Sequence, residues 1–332
     1  MKQPATRDQD YLMVIAFPDF YIHYHQVWHR VVWKFLGFTE GNTIRAGHNC
    51  VLSVNGNSGK IKYFDFGRYD VPDGYGRARS VETDPQLEVP VIATFADGQI
   101  SNLEEIIAWF YSRTSIHHSA GPLYCKVLPQ ISESAVEDFV TETQRRGFVD
   151  YDIFRKGALN CSRYVGHLIK AVVPQSRLST YLKYICPSPT PLDTVINADS
   201  GRGVYRYDGS ELQCLPIMSP LDGIRYYLKS RGAYHNDTTR VEMPNLHWIG
   251  SKAIGSYYSL TIDNRSITQV KVAKYSAKGV MIGTRDYSII RGSIDLNTDY
   301  DLELGETPEQ LVAVQGGERT VLERVSSVSP FN

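Results

Sequence analysis

The sequence has 332 residues, of which 42% are hydrophobic and 21% charged, with 22 tyrosines and 12 phenylalanines. This apolar content excludes a disordered chain, and the length predicts two domains. The formal net charge of −1, from 35 basic and 36 acidic residues, argues against nucleic acid or an anionic membrane surface as the partner.

The apolar segments are short. Residues 12–17, among the longest, fall far below the ~20 residues that a membrane-spanning helix needs. The N-terminal segment lacks the apolar core of a secretory signal and carries Asp8 and Asp10, so we expect a cytoplasmic protein. The cysteines at positions 50, 125, 161, 186 and 214 form no CxxC pair, which indicates neither a disulfide framework nor a structural zinc site.

The first part of the chain combines strands and helices. The apolar run at residues 12–17 predicts a strand, and the pattern near residues 22–36 predicts a helix. Residues 50–54 and 60–66 flank the turn-forming string 55–59, which is a strong signal for an antiparallel hairpin.

Three further helices are indicated by their N-terminal sequences. Two capping boxes, one at Ser101 and one at Ser134, each precede an apolar pattern. Another helix begins near Cys161 and ends at Pro174. With the strands, these helices predict an α+β first domain over residues 1–190.

The chain changes character after three closely spaced prolines at positions 187, 189 and 191, which predict a stiff linker. Beyond them, short strands alternate with turns, and one short helix is expected near residues 221–229. The sequence therefore predicts a smaller, mostly β accessory domain over residues 201–332.

The segment 157–169 contains the strongest candidate for chemistry. Asn160 is a good N-cap, so Cys161 is expected at the first helical position. Free backbone N–H groups and the helix dipole favour a thiolate there, which makes Cys161 a candidate nucleophile. The alternative is a buried free cysteine that packs as a small hydrophobic residue.

A cysteine nucleophile needs a base, and His48 at the mouth of the hairpin is the candidate. If the hairpin turns tightly at residues 56–57, His48 falls opposite Asp65. A carboxylate at that position orients the imidazole, as the third group does in nucleophilic triads. Tyr63 lies on the same strand face and is the substitute, since a one-residue change in the turn removes the Asp65 pairing.

These motifs together resemble the circularly permuted NlpC-type papain-like hydrolases, in which the histidine strand precedes the cysteine helix. The similarity covers about residues 40–175. It is carried by Gly47-His48, the string at residues 63–67 and the string at residues 160–165. The resemblance implies a permuted papain-like domain with an antiparallel sheet and packed helices.

The resemblance also implies a thiol hydrolase or acyl transferase that acts on peptides, amides or small acyl esters through an acyl-enzyme. Cys161 matches the nucleophile, His48 the base and Asp65 the third position. Tyr151, ten residues before the cysteine, matches an oxyanion-binding tyrosine, and the backbone N–H of Cys161 is the stronger donor. Tyr63 and Asn160 complete the predicted substrate contacts.

Other candidate sites are weaker. His25 and His29 lie one helical turn apart, with His23 nearby, but no HExxH motif accompanies them, so we predict no metal and no cofactor. Arg77 and Arg79 are too sparse for a nucleic-acid footprint and are interpreted as a solvated face.

One alternative function is a non-catalytic papain-fold scaffold whose β domain recognises a peptide, glycan or protein partner. The distance between Cys161 and His48 separates the two hypotheses, because catalysis requires sulfur and ring nitrogen within reach of each other.

Overall fold

The computed structural model describes residues 10–23, 39–40, 43–45, 47–153, 155–173, 176–199, 201–229, 234, 240–250, 254–262 and 268–325. Most of the helix predicted near residues 22–36, with His25 and His29, lies outside the described residues. The chain divides into two compact units, of which the first comprises residues 1–67, 78–146 and 151–236. The second comprises residues 68–77, 147–150 and 237–332.

The protein is of mixed α/β class, and its strand pairs are mostly antiparallel. In chain order the strands are β1 Asp10–Phe17, β2 Tyr21–His23, β3 Thr39–Glu40, β4 Thr43–Arg45, β5 His48–Val54, β6 Ile61–Gly67, β7 Tyr75–Arg79, β8 Phe95–Ala96, β9 Gln99–Ile100, β10 Leu123–Ile131, β11 Val149–Asp150, β12 Val204–Tyr207, β13 Leu212–Leu215, β14 His247–Gly250, β15 Gly255–Ile262, β16 Gln269–Tyr275, β17 Met281–Arg291, β18 Asp301–Leu304, β19 Gln310–Gln315 and β20 Glu318–Arg324.

The described residues contain seven α-helices: α1 Leu103–Ser112, α2 Thr114–His117, α3 Glu133–Arg145, α4 Cys161–Val172, α5 Arg177–Tyr184, α6 Pro191–Asn197 and α7 Asp222–Lys229. The N-caps of α1 and α3 are Asn102 and Ser132, so the predicted caps at Ser101 and Ser134 are wrong by one and two residues. Within the described part of the chain, no helix has both the length and the apolar character of a membrane span.

The central sheet of the first unit includes six strands in the order β6-β5-β1-β10-β12-β13, all antiparallel. Strand β1 lies in the middle and is buried along seven of its eight residues. Its alternate residues Met13, Ile15 and Phe17 join one hydrophobic cluster with Ile106 and Phe110 of α1. Helix α6 contacts β1, and α4 contacts β5 and β6. This packing brings the start of α4 to the start of β5.

The β5–β6 hairpin is present, but its register differs from the predicted one. Cys50 pairs with Asp65, and a loop over residues 55–60 replaces the tight two-residue turn. The Asn55 side chain accepts a hydrogen bond from the Ser58 N–H at 2.9 Å, which stabilises this wider loop. The predicted pairing of His48 opposite Asp65 is therefore wrong by two residues. Because side chains alternate with period two, the shift keeps both residues on the same face.

The proline-rich segment predicted as a linker leads into a buried helix. Pro191 occupies the first turn of α6, where its missing N–H costs nothing, and Thr190 and Asp193 form a capping box. Strand β12, which the prediction assigned to the second domain, pairs with β10 in the central sheet. The first unit thus extends to residue 236, past the predicted end of the first domain at residue 190.

The second unit is dominated by an antiparallel sheet of seven strands in the order β14-β15-β16-β17-β20-β19-β18. The edge strands β14 and β18 contact each other, so the sheet is nearly closed. At this contact, the His247 ring lies 4.7 Å from the ring of Tyr300. Val272, Leu311 and Leu322 are buried in the core of this unit.

Candidate active site

Cys161 is the first residue of α4. The Asn160 side chain accepts a hydrogen bond from the Arg163 N–H at 2.8 Å, so the predicted N-cap is confirmed. Tyr164, Leu168 and other apolar residues of α4 are buried. This packing fixes the helix start, so the thiol lies where the dipole and the free N–H groups favour negative charge.

Hydrogen bonding and charge from His48 both act on the Cys161 sulfur and lower the pKa of the thiol, and the Ser162 side chain and the Asn49 backbone act in the same direction. The Ser162 hydroxyl oxygen lies 3.9 Å from the sulfur. Cys161 is 6% exposed and His48 7% exposed, so the pair is largely withdrawn from water. The structure thus brings the predicted nucleophile and base together.

Asp65 lies beside His48 at the diagonal position that the hairpin register gives it. The distance between His48 Nε2 and Asp65 Oδ2 is 3.3 Å. The Tyr63 hydroxyl donates to the same carboxylate oxygen at 2.8 Å. Both candidates for the third position therefore lie at the site. Asp65 is next to the His48 ring, and Tyr63 contacts the Asp65 carboxylate.

Arg79 binds the other side of the Asp65 carboxylate. Its Nε donates to Oδ1 at 2.9 Å and a terminal nitrogen donates to Oδ2 at 2.7 Å. The same terminal nitrogen donates to the Ile116 carbonyl at 3.0 Å. The interpretation of Arg77 and Arg79 as a solvated face is wrong, because both are buried and both contact acidic residues. Two arginines at alternate positions were the signal available in the sequence, but this spacing alone does not tell which face of a strand is covered.

Arg79, Asp65, His48 and Cys161 form a row of neighbouring side chains, and the interactions along this row determine which of them are charged. Burial raises the pKa of Asp65, but the Arg79 charge and hydrogen bonds outweigh it and hold that pKa well below its usual range. Burial lowers the pKa of His48, but its hydrogen bonds to Asp65 and Cys161 and their charges raise it to about 9. Burial raises the pKa of Cys161, yet His48 outweighs burial and lowers it. The arrangement therefore favours a thiolate–imidazolium pair.

A second imidazole lies near this row and is held neutral. The His117 ring stacks on Phe17 with centroids 4.5 Å apart, and the Ser119 N–H donates to its Nδ1 at 3.1 Å. Burial is the main cause that lowers the pKa of His117 to about 3, and the charge of His48 adds to it. Sequence reasoning did not identify His117 as part of this region.

Tyr151 and Asn160 were also predicted to contact the substrate or the oxyanion. The Tyr151 ring stacks on Phe66 with centroids 6.0 Å apart, and its role as an oxyanion donor stays a prediction. Asn160 uses its side-chain oxygen in the helix cap. Among the residues that the structure describes, no group of three His, Cys, Asp or Glu side chains is placed to hold a metal ion.

These features define a mixed α/β protein with a buried Cys–His–Asp row at the junction of a strand and a helix. The model of the type VI secretion system effector TseH-like family matches residues 12–177, which is half of the chain and includes Cys161, His48 and Asp65. The chain therefore belongs to the type VI secretion system effector TseH-like family.

The crystal structure of the type VI secretion system effector TseH is similar to this chain at a TM-score of 0.45 and 20% sequence identity. The similarity covers 64% of this chain and 100% of the TseH chain. A search of curated protein sequences gave no match.

Proposed function

We propose that the protein is a thiol-dependent hydrolase that cleaves amide or acyl-ester bonds through an acyl-enzyme on Cys161. The observation that carries this proposal is the buried row of Cys161, His48 and Asp65 at the start of α4, in which His48 lowers the pKa of the thiol and its Nε2 lies 3.3 Å from the Asp65 carboxylate. The resemblance to the circularly permuted NlpC-type papain-like hydrolases supports the same roles. A peptide, amide or small acyl ester is the proposed substrate class.

The proposed reaction begins when the Cys161 thiolate attacks the substrate carbonyl carbon. The backbone N–H of Cys161, at the helix start, stabilises the negative charge that develops on the carbonyl oxygen. The His48 imidazolium gives its proton to the leaving group as the scissile bond breaks. His48 then takes a proton from water, whose oxygen attacks the thioester; the C–S bond breaks, the acid leaves and the thiolate–imidazolium pair is restored. Asp65 stabilises the imidazolium in the resting state and each time His48 takes up a proton.

Family membership supports a second part of the proposal, that the chain acts as an effector delivered by a type VI secretion system. The match over residues 12–177 includes the proposed catalytic residues, so the hydrolase would be the active part of the effector. Delivery is tested in a host strain with a working secretion system and in one whose system is inactivated. We expect release of the tagged chain only from the first, and equal release from both would contradict delivery.

Acylation of Cys161 tests the hydrolase directly. The full chain is mixed with p-nitrophenyl acetate, and the peptide that contains Cys161 is analysed by mass spectrometry. We expect a burst of nitrophenolate and an acetyl group on Cys161, both of which Cys161→Ser removes. Cys214→Ser, which changes an exposed cysteine, should leave the burst unchanged. An unmodified Cys161 without a burst would instead favour the non-catalytic scaffold.

The pH dependence should differ between amide and ester substrates. With a p-nitroanilide, activity should fall as the pH rises through about 9, because His48 loses the proton that the amine leaving group needs. With the matched p-nitrophenyl ester the leaving group needs no proton, so acylation should not fall there. Anilide activity that keeps rising above pH 9 would contradict this role of His48. Both rates are measured as kcat/KM.

A further inference from the structure

We infer that Arg79 is a positioning residue of this active site: its bidentate contact keeps Asp65 ionised and turned toward His48 when the pH falls below neutral. The inference rests on the proposed function, because it assigns Arg79 a role in preparing the Cys161–His48 pair.

The geometry of the guanidinium supports a positioning role. Two of its nitrogens donate to the two different oxygens of Asp65, at 2.9 and 2.7 Å. The additional bond to the Ile116 carbonyl anchors the guanidinium from the other side. A bidentate contact fixes the plane of a carboxylate, whereas a single donor lets it rotate. The orientation of Asp65 toward His48 therefore depends on Arg79.

Charge gives a second, independent argument. Arg79, Asp65, His48 and Cys161 form a row in which positive and negative charges alternate, and each member is at most 7% exposed. The other titratable groups that face Asp65 stay neutral, because burial lowers the pKa of His117 and of His118 to about 3 and raises the pKa of Cys50 and of Tyr164. Without Arg79, the carboxylate and the thiolate share one imidazolium, which leaves an uncompensated negative charge in a buried site. Burial then favours protonation of the carboxyl group as the pH falls, and His48 loses the counter-charge that stabilises its proton.

Tyr63 cannot take over this role. Its hydroxyl donates a single neutral hydrogen bond to Asp65 Oδ2 at 2.8 Å. A neutral donor orients one oxygen and carries no charge to hold the carboxyl group ionised. Tyr63 thus supports the carboxylate that Arg79 fixes.

The test is the pH profile of Cys161 alkylation by iodoacetamide in the full chain, followed on the peptide that contains Cys161. In Arg79→Met, the acid limb of the profile should move to higher pH by about one unit or more. Arg79→Lys keeps the charge and loses the bidentate geometry, so the limb should stay while the plateau rate falls several-fold.

Arg77→Met is the matched control. Arg77 is another buried arginine of β7, it lies 3.7 Å from Asp70, and its Nε donates to the Tyr69 carbonyl at 2.8 Å. Loss of this arginine should lower stability, measured by urea unfolding, without moving the acid limb. A merely structural role for Arg79 predicts the same behaviour for both methionine variants.

The outcomes separate the inference from the proposed function. If the acid limb of the wild-type alkylation profile lies at low pH and Arg79→Met does not move it, the role of Arg79 is overturned and the proposed function stands. A wild-type thiol that titrates in its ordinary range, near pH 8.5, contradicts the proposed function and the inference with it. If Arg79→Met does not fold, Arg79→Lys decides: a plateau equal to that of the wild type overturns the inference.

Discussion

Asp65→Asn is expected to remove both the activation of Cys161 and a large part of the stability of the first unit. The substitution leaves the buried Arg79 guanidinium without its counter-charge, which should cost about 3–5 kcal/mol in the free energy of unfolding. His48 also loses the carboxylate that stabilises its proton, so acylation should fall by about 10²–10⁴. Urea unfolding and the nitrophenyl acetate burst measure the two effects.

Asp70→Asn provides the control for this prediction. Asp70 is another buried aspartate with basic partners, since Lys274 Nζ lies 2.6 Å and Arg77 3.7 Å from its carboxylate. It belongs to the second unit. Its replacement should lower stability and leave acylation of Cys161 at the wild-type rate. An Asp65→Asn protein that acylates as fast as the wild type would show that the carboxylate has no part in catalysis.

Gly47→Ala is expected to displace the catalytic base. Gly47 directly precedes His48 and has a φ of +70°, which costs an alanine about 1–2 kcal/mol. A β-carbon there would lie 2.5 Å from the Phe17 carbonyl oxygen, so β5 must shift away from β1 at His48. We expect a total loss of about 2–4 kcal/mol in stability and at least tenfold slower alkylation of Cys161.

Alanine substitutions at two other glycines distinguish the effect of backbone strain from the effect of displacing His48. Gly157 has a φ of +81° and open space around its α-carbon, so Gly157→Ala should show the conformational cost alone. Gly59, with a φ of +69°, is crowded by the Ala93 carbonyl oxygen in the hairpin loop. Gly59→Ala should therefore destabilise the protein without slowing alkylation. Equal alkylation rates in Gly47→Ala and the wild type would contradict the proposed importance of the β5 start.

Local signals were enough to predict the cysteine end of the site. The cap between Asn160 and Arg163 spans three residues, so residue types alone specify it. The approach of His48 to Asp65 was predicted through a register that is wrong by two residues. The two side chains still lie close together, because a register shift of two residues keeps Asp65 on the same strand face. A shift of one residue would have turned Asp65 away from His48.

The parts that sequence did not predict depend on contacts between distant segments. Arg79 is buried because β7 packs its arginines inward, and a five-residue strand with two arginines does not reveal that face. The buried helix α6 follows a proline-rich stretch that is typical of linkers, and its burial depends on β1 and β10. Residue order alone does not report such long-range packing.

The claim that His48 activates the Cys161 thiol is tested by the pH dependence of Cys161 alkylation in the wild type and in His48→Ala. We expect the wild-type thiol to titrate well below the ordinary value of about 8.5, and His48→Ala to return it to that value or above, since burial then acts unopposed. An ordinary titration of Cys161 in both proteins would contradict the claim and favour a binding scaffold over an enzyme.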